Sequence, residues 1–185
     1  MLGTSMDLSQ FSSKNFDRGA HRIQELLWIL IRTLFFLTPL PLPSFLKVLL
    51  LRLFGAKIGK GVIIRSRVMI WMPWRLEIQD HVWIGEEAFL LNLSPIVIES
   101  HCCISQRAFL CTGSHDHQQI DFRFKNAPIT LRQGSWIAAQ AFVGAGVEVG
   151  KNSIVSAGSV ALYSIPENTI VRGNPATPCG NRYAS

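Results

Sequence analysis

The sequence predicts a parallel β-helix of stacked six-residue units behind an N-terminal helical segment, and three observations carry that prediction. First, aliphatic residues recur every sixth position from Ile58: Ile58, Ile64, Ile70, then Ile78, Ile84, Leu90, then Ile98, Ile104, Leu110. After a gap the series resumes at Leu131, Ile137, Val143, Val149, Val155 and Ala161, so fourteen of fifteen unit starts are Ile, Leu or Val. Second, the position four residues after each start is restricted too, and only Trp74 and Ile165 are large there. Third, Gly or a small residue often follows the start, as in IGKGVI, IGEEAF and VGKNSI.

Alternate side chains of a strand face one way, so six residues read as a short strand plus a corner, with the aliphatic start pointing inward. Three units make one triangular coil of about 18 residues. Coils stack at the strand spacing of ~4.8 Å. A single unit cannot bury its own face, so stacking supplies the core. A β-sandwich would need fifteen units in register by accident.

Composition and organisation agree with one domain carrying a small appendage. The 185 residues are 48% apolar and 16% charged, far from a disordered composition. Residues 1–20 are polar and Ser-rich and are expected to form a flexible leader. Residues 21–56 read as an apolar helical hairpin. HRIQELLWILIRTLFF has helical spacing until Pro39 stops it, and SFLKVLLLRLF follows with Ser44 as N-cap and Gly55 as C-cap. The β-helix is expected over 57–176, with a loop at 116–130 and a C-terminal tail at 177–185. The longest uncharged apolar run, Thr33 to Leu46, holds 14 residues and three prolines, whereas a membrane span needs roughly 20 apolar residues.

The net charge of +6 is unevenly placed. Eight Lys/Arg against three acidic residues leave +5 in residues 1–60. Such a patch attracts phosphates, nucleic acid or an anionic membrane, and charge alone does not choose among them. Cys102, Cys103, Cys111 and Cys179 form no CxxC pair or zinc-ribbon spacing, and no secretory signal precedes them. They read as reduced thiols of a cytosolic protein.

The register also shows where the scaffold is decorated. Starts at 58, 78 and 98 lie 20 apart, which inserts two residues per coil, assigned to Leu76–Glu77 and Ile96–Val97. The large break is the run DHQQIDFRFKNAPIT between His115 and Leu131, and regular scaffolds carry chemistry on loops. His115 ends its unit at the mouth of that loop, as a base for transfer to a hydroxyl or amine would. His117, two residues on, is a weaker candidate for the base; alternatively it or Asp116 orients His115. His81 and His101 fall in one column with Gly61, Gly134 and Asn152 and read as structural corner residues.

The register, TGSHDH, GSWIAAQAFVGAGVEVG and SIVSAGSVALYSIPENTIVRGNPA resemble the left-handed β-helix acetyltransferases. RLFGAKIGKGV and PWRLEI resemble the colanic-acid biosynthesis acetyltransferase type within them, and the likeness spans roughly residues 20–177. The resemblance implies the left hand of the helix, a homotrimer with active sites between subunits, acetyl-CoA as co-substrate, no metal and no nucleic-acid partner. It makes His115 the catalytic base, Trp136 a wall of the acyl and pantetheine slot, and Ala139 and Ala157, one coil apart, pantetheine contacts. Asn92 corresponds to an acceptor-contacting position, with Asp116 and His117 beside the acceptor. Where relatives carry basic residues for the nucleotide end of coenzyme A, this chain has Leu162–Tyr163 and Thr177–Pro178–Cys179. Arg172 and Arg182 are the available substitutes, and Ala138 replaces a family glycine.

The expected function is therefore O-acetylation of a sugar hydroxyl in a surface polysaccharide or its lipid-linked precursor. The expected location is the cytoplasm, with residues 21–54 either lying on the inner face of the cytoplasmic membrane or capping the first coil. Two other readings stay open at this point. One is a zinc lyase of the carbonic-anhydrase kind, which needs three converging histidines. The other is a non-catalytic binding scaffold.

Overall fold

The computed structural model describes residues 6–14 and 16–183. The first coil contains β1 (Lys57–Ile58), β2 (Ile63–Ile64) and β3 (Met69–Ile70). The second contains β4 (Leu76–Ile78), β5 (Trp83–Ile84) and β6 (Phe89–Leu91), and the third β7 (Ile96–Ile98), β8 (Cys103–Ile104) and β9 (Phe109–Cys111). The fourth contains β10 (Ile129–Leu131), β11 (Trp136–Ile137) and β12 (Phe142–Val143), and the fifth β13 (Glu148–Val149), β14 (Ile154–Val155) and β15 (Val160–Ala161). Corresponding strands of successive coils pair in parallel, giving three sheets that begin with β1, β2 and β3. A sixth, partial coil bridges Val149 to Ile165 and adds β16 (Thr169–Gly173) beside β14.

The pairing register is the sequence register. Ile58, Ile78, Ile98, Leu131 and Val149 stand in one line. Ile64, Ile84, Ile104, Ile137 and Val155 form the second, and Ile70, Leu90, Leu110, Val143 and Ala161 the third. All but Ile58 are buried, so these lines are the core. One detail differs. Leu76 and Ile96 are regular strand residues paired with each other, so the two-residue insertions lie in the preceding corner, where Pro73–Arg75 makes a short 3-10 turn.

The corners explain the odd residue columns. Gly61, His81, His101, Gly134, Asn152 and Asn168 all have φ between +56° and +72°, the left-handed region that costs most residues energy. The His81 and His101 rings stack at 5.3 Å, and each backbone N–H donates to the coil below, to Lys60 and Asp80 respectively. These histidines are corner residues, as expected.

At Gly150 two coils leave no room for a side chain. A Cβ there would lie 2.5 Å from the Glu167 nitrogen and 2.6 Å from the Ile165 carbonyl oxygen, and backbone cannot step aside cheaply. Gly150→Ala is expected to cost about 2–3 kcal/mol through overpacking, read as a lowered urea midpoint at fixed protein concentration. A variant as stable as the parent would show that the sixth coil is free to shift.

Both ends of the β-helix are covered. At the far end the chain turns back into β17 (Ala176–Asn181), antiparallel to β16, so most of the expected tail is a strand. Arg182 then donates to the carbonyls of Gly134 (2.7 Å) and Asn152 (3.2 Å). At the near end sit α1 (Arg22–Ile31), a π-helical turn over Arg32–Phe36, and α2 (Ser44–Leu53). Pro43 rather than Ser44 precedes the first turn of α2, because the Ser44 hydroxyl is used elsewhere: it accepts from the Ile64 N–H at 3.0 Å. The exposed edge of the first coil is satisfied by donors from this cap. Arg52 serves the Ile58 carbonyl at 2.7 Å, the Lys47 ammonium serves Ile64 and Arg65 at 3.3 and 2.6 Å, and the Trp28 indole serves Ile70 at 3.1 Å. Trp28, Phe36 and Leu51 are completely buried beneath it.

The leader departs from expectation. Its described residues run back along the β-helix instead of trailing free. The Trp74 indole donates to the Arg18 carbonyl at 2.8 Å, Arg18 pairs with Glu25 at 2.7 Å, and the Asp7 N–H donates to the Ile120 carbonyl at 2.9 Å.

Candidate active site

The excursion between β9 and β10 is a ribbon rather than an irregular loop. The Asp116 N–H donates to the Arg123 carbonyl, the Lys125 N–H to Ser114 and the Ala127 N–H to Thr112, while His115 and Phe124 form an antiparallel bridge. Its root is fixed by buried Thr112, whose hydroxyl donates to the Leu91 carbonyl at 2.8 Å and accepts from the Ser94 N–H at 2.9 Å. His115 therefore stands on an anchored hairpin, half-buried.

Its environment defines its proton. Nδ1 lies 2.6 Å from the Phe122 carbonyl oxygen. A carbonyl only accepts, so in the neutral ring Nδ1 carries the hydrogen and Nε2 holds the free lone pair. The imidazole lies parallel to the Phe122 ring at 4.2 Å, with Phe124 at 5.0 Å and Phe11 of the leader at 5.6 Å. Three aromatic walls and one carbonyl fix its plane.

Beside this nest the leader and the ribbon enclose a cavity of about 600 Å³. Phe124 walls both spaces, and Gln10, Asp17, Arg75, Asp121 and Arg123 give the cavity a polar lining. The Arg123 guanidinium, hydrogen-bonded at 3.1 Å, holds the Asp121 carboxyl below its ordinary pKa, which keeps it an acceptor. Arg75 is braced by the carbonyls of Asp17 and Leu93. Paired charges and amides at this spacing suit a polyhydroxylated ligand.

The other residues singled out from the sequence divide into groups. Asp116 caps its own turn, accepting from the Gln118 N–H at 3.1 Å, and His117 is exposed near the ribbon tip. The task of orienting His115 falls to the Phe122 carbonyl instead. Asn92 is completely buried, and its amide clasps both backbone groups of Met72. It is thus a structural brace, and the expectation of an acceptor contact fails because both ends of its amide are spent on backbone. Trp136 lies on the second sheet, 39% exposed, in register with Cys103 and Ile154, and its indole donates to the Ser105 hydroxyl at 2.8 Å. Ala139 and Ala157 stack on the following corner, where the Gly158 N–H donates to the Ala139 carbonyl at 2.9 Å. Arg172 is exposed on β16, whereas Arg182 is committed to the corner carbonyls described above.

Within one chain these residues do not converge. The His115 ribbon leaves the corner between the third and first sheets, and the alanine track follows the corner between the second and third. Between them runs the third sheet, faced by Phe89, Phe109 and Phe142 in mutual contact. His81 and His101 stand on the remaining corner, so the three histidines of a zinc lyase do not meet in one subunit. Among the described residues no three His, Cys, Asp or Glu side chains are grouped as metal ligands.

Sequence reasoning missed Phe11, Phe122 and Trp83, the last 59% exposed and aligned with Cys103 next to Trp136 in the same column. Phe122 and Phe124 alternate, and in an extended ribbon alternate residues share a face. That spacing was the available signal.

No family model matches the chain. A protein of Escherichia coli K12 that bears the name colanic acid biosynthesis acetyltransferase WcaF is 43% identical over 171 residues, covering 92% of this chain and 93% of that one. Among solved structures, a hexapeptide-repeat acetyltransferase of Vibrio cholerae complexed with acetyl coenzyme A superposes with a TM-score of 0.79 at 22% identity, covering 94% and 93% of the two chains. A galactoside acetyltransferase in complex with coenzyme A gives a TM-score of 0.78 at 18% identity, covering 91% and 85%. These two likenesses establish the fold.

Proposed function

We propose a reaction for this chain on one premise: it belongs to the hexapeptide-repeat acetyltransferases of the colanic acid biosynthesis type. It transfers an acetyl group from acetyl-CoA to a sugar hydroxyl in surface-polysaccharide assembly, with His115 as the general base. The observation that carries this reading is the 2.6 Å bond from Nδ1 to the Phe122 carbonyl, which leaves Nε2 as the basic nitrogen of a ring packed on Phe124, itself a wall of the polar cavity.

The chemistry follows from that tautomer. Nε2 accepts the hydroxyl proton as the sugar oxygen attacks the thioester carbon. The C–S bond then breaks, and the imidazolium returns the proton to the leaving thiolate. The cavity between leader and ribbon takes the acceptor, whose hydroxyls match its carboxylates, guanidinium groups and amides. The column of Trp136, Ala139 and Ala157 takes the acyl and pantetheine end, because small side chains stacked one coil apart leave a track along the helix axis. Arg172, exposed on β16, is the residue offered to the nucleotide phosphates.

Since the base and the track lie on different faces, the complete site forms between neighbouring subunits of a homotrimer. Each ribbon then meets the second sheet of the adjacent copy. Incubation with acetyl-CoA and a panel of free, nucleotide-linked and lipid-linked sugars tests the reading. Free thiol should appear together with an acceptor heavier by one acetyl group. Thiol release without any acetylated sugar would remove the sugar from the proposal. Silence across the whole panel with a folded protein would favour a binding scaffold.

A further inference from the structure

The end cap is built inside out. In α2 the buried face carries Lys47 as well as Val48 and Leu51, while Phe45, Leu49 and Leu53, spaced four apart, are 74%, 51% and 71% exposed. In α1 and the π-helical turn, Ile23, Leu26, Leu30 and Leu34 are between 54% and 74% exposed. The inner side there uses buried Arg32 and mostly buried Glu25 beside Trp28. Among the described residues, ten of the nineteen exposed large apolar side chains fall between Ile23 and Leu53, a stretch that is under a fifth of the chain.

A cap made only to close the β-helix would turn these stripes inward and its cations outward. Here the inward cations are fixed on strand carbonyls, and the outward stripes stay largely uncovered among the described residues. Concentrated exposed apolar surface on this scale marks an interaction face.

We infer that this outer face docks on an anionic lipid bilayer, lying in the interface without crossing it. Charge complementarity selects that occupant. Exposed Arg22 directly precedes Ile23 of the first stripe and exposed Lys60 stands in the first coil, which the cap covers, while the acidic Glu25 and Glu77 are each neutralised, by Arg18 and Lys57. A helix presenting leucine and phenylalanine beside basic residues binds by apolar insertion plus attraction to anionic headgroups. No described helix is long and apolar enough to cross a membrane. The cap covers one end of the helix axis, so docking leaves the three sheet faces free for neighbouring copies. The His115 ribbon springs from the third coil, two coil steps of ~4.8 Å above the first. A helix of ~10 Å diameter that is partly inserted adds less than its full width, so the base stands within roughly 20 Å of the bilayer surface. Resting on the reaction proposed above, this places the base at the height of a sugar carried on a lipid headgroup.

The test is flotation of the full-length protein with phosphatidylcholine vesicles containing about one quarter phosphatidylglycerol, against pure phosphatidylcholine. Binding to the anionic vesicles, weakened by salt, is expected. The triple variant Ile23→Ser/Phe45→Ser/Leu53→Ser should lose ~100-fold or more in partitioning, with an unchanged melting temperature and unchanged acetyl transfer to any soluble acceptor. The single variants Ile23→Ser and Phe45→Ser, each expected to lose ~5-fold, serve if the triple variant does not fold. Three outcomes overturn the inference. They are no vesicle binding by the parent, equal binding by the variants, or a change of oligomeric state in sedimentation velocity, which would make the face a contact between copies. None of these depends on whether acetyl transfer is observed.

Discussion

Replacing His115 by alanine should lower kcat/KM for acetyl transfer by about two to four orders of magnitude, the usual contribution of a positioned general base. The fold should survive. The ring is half-buried, its single hydrogen bond goes to the ribbon's own backbone, and the ribbon is held by separate bonds at Ser114, Asp116 and Thr112. The loss should therefore appear in kcat, with KM for acetyl-CoA and the melting temperature nearly unchanged. Phe122→Gly separates the two supports of the ring. Phe122 has φ +47°, a conformation glycine adopts freely, so the carbonyl acceptor stays while the stacked ring is lost. That variant should keep a measurable fraction of the rate, roughly one tenth, because the carbonyl still fixes the tautomer. If His115→Ala retained more than a tenth of the parent rate, the base would have to be sought elsewhere, and the likeness of TGSHDH to its family would mislead about chemistry. His117 would be the next residue to replace.

How far the sequence reached can be argued from these same residues. The fifteen unit starts pair coil by coil in the structure in their sequence order, because burial of one aliphatic residue per unit leaves no freedom to slip. His81 and His101 were legible as corner residues for the same reason: register alone put them three residues past a coil start. The surroundings of His115 were less legible. A backbone carbonyl has no residue type, so the Phe122 acceptor could not be read from composition, and Asp116 was the chemically obvious substitute. Asn92 misled in the opposite sense. The family resemblance implied an acceptor contact there, but the amide braces Met72 where the corner is enlarged. The leader misled because polarity predicts disorder only when nothing anchors it. Phe11 and Phe16, two aromatics within a Ser-rich run, pack against Phe124 at 5.2 Å each and supply the anchor.

The cap shows how one amino acid can decide an architecture, and Lys47 carries the second large effect. By spacing alone it is the solvent-facing residue of an apolar helix. In the structure it is only 1% exposed and holds the carbonyls of Ile64 and Arg65. An open β-helix end leaves a row of such acceptors unpaired, and each one buried without a donor costs about 1–3 kcal/mol. Lys47→Met keeps the length and apolar bulk of the side chain but removes the donor. Ser44 still reaches Ile64, so the Arg65 carbonyl loses most. We expect a loss of about 2–3 kcal/mol, measured as a lower urea midpoint at fixed protein concentration, and the loss should grow when Ser44→Ala is added. The opposing effect is the cost of burying the ammonium. Burial, and secondarily the nearby Arg65 charge, pushes the Lys47 pKa below the ordinary lysine value. The folded protein therefore binds fewer protons than the unfolded chain between the depressed and the ordinary pKa, and stability tied to this group rises with pH across that alkaline window. The parent should consequently gain stability relative to Lys47→Met as pH climbs toward the ordinary lysine range. If Lys47→Met were instead more stable at neutral pH, desolvation would outweigh the two hydrogen bonds. The inward lysine would then be explained by what it leaves outside, the apolar row of Phe45, Leu49 and Leu53.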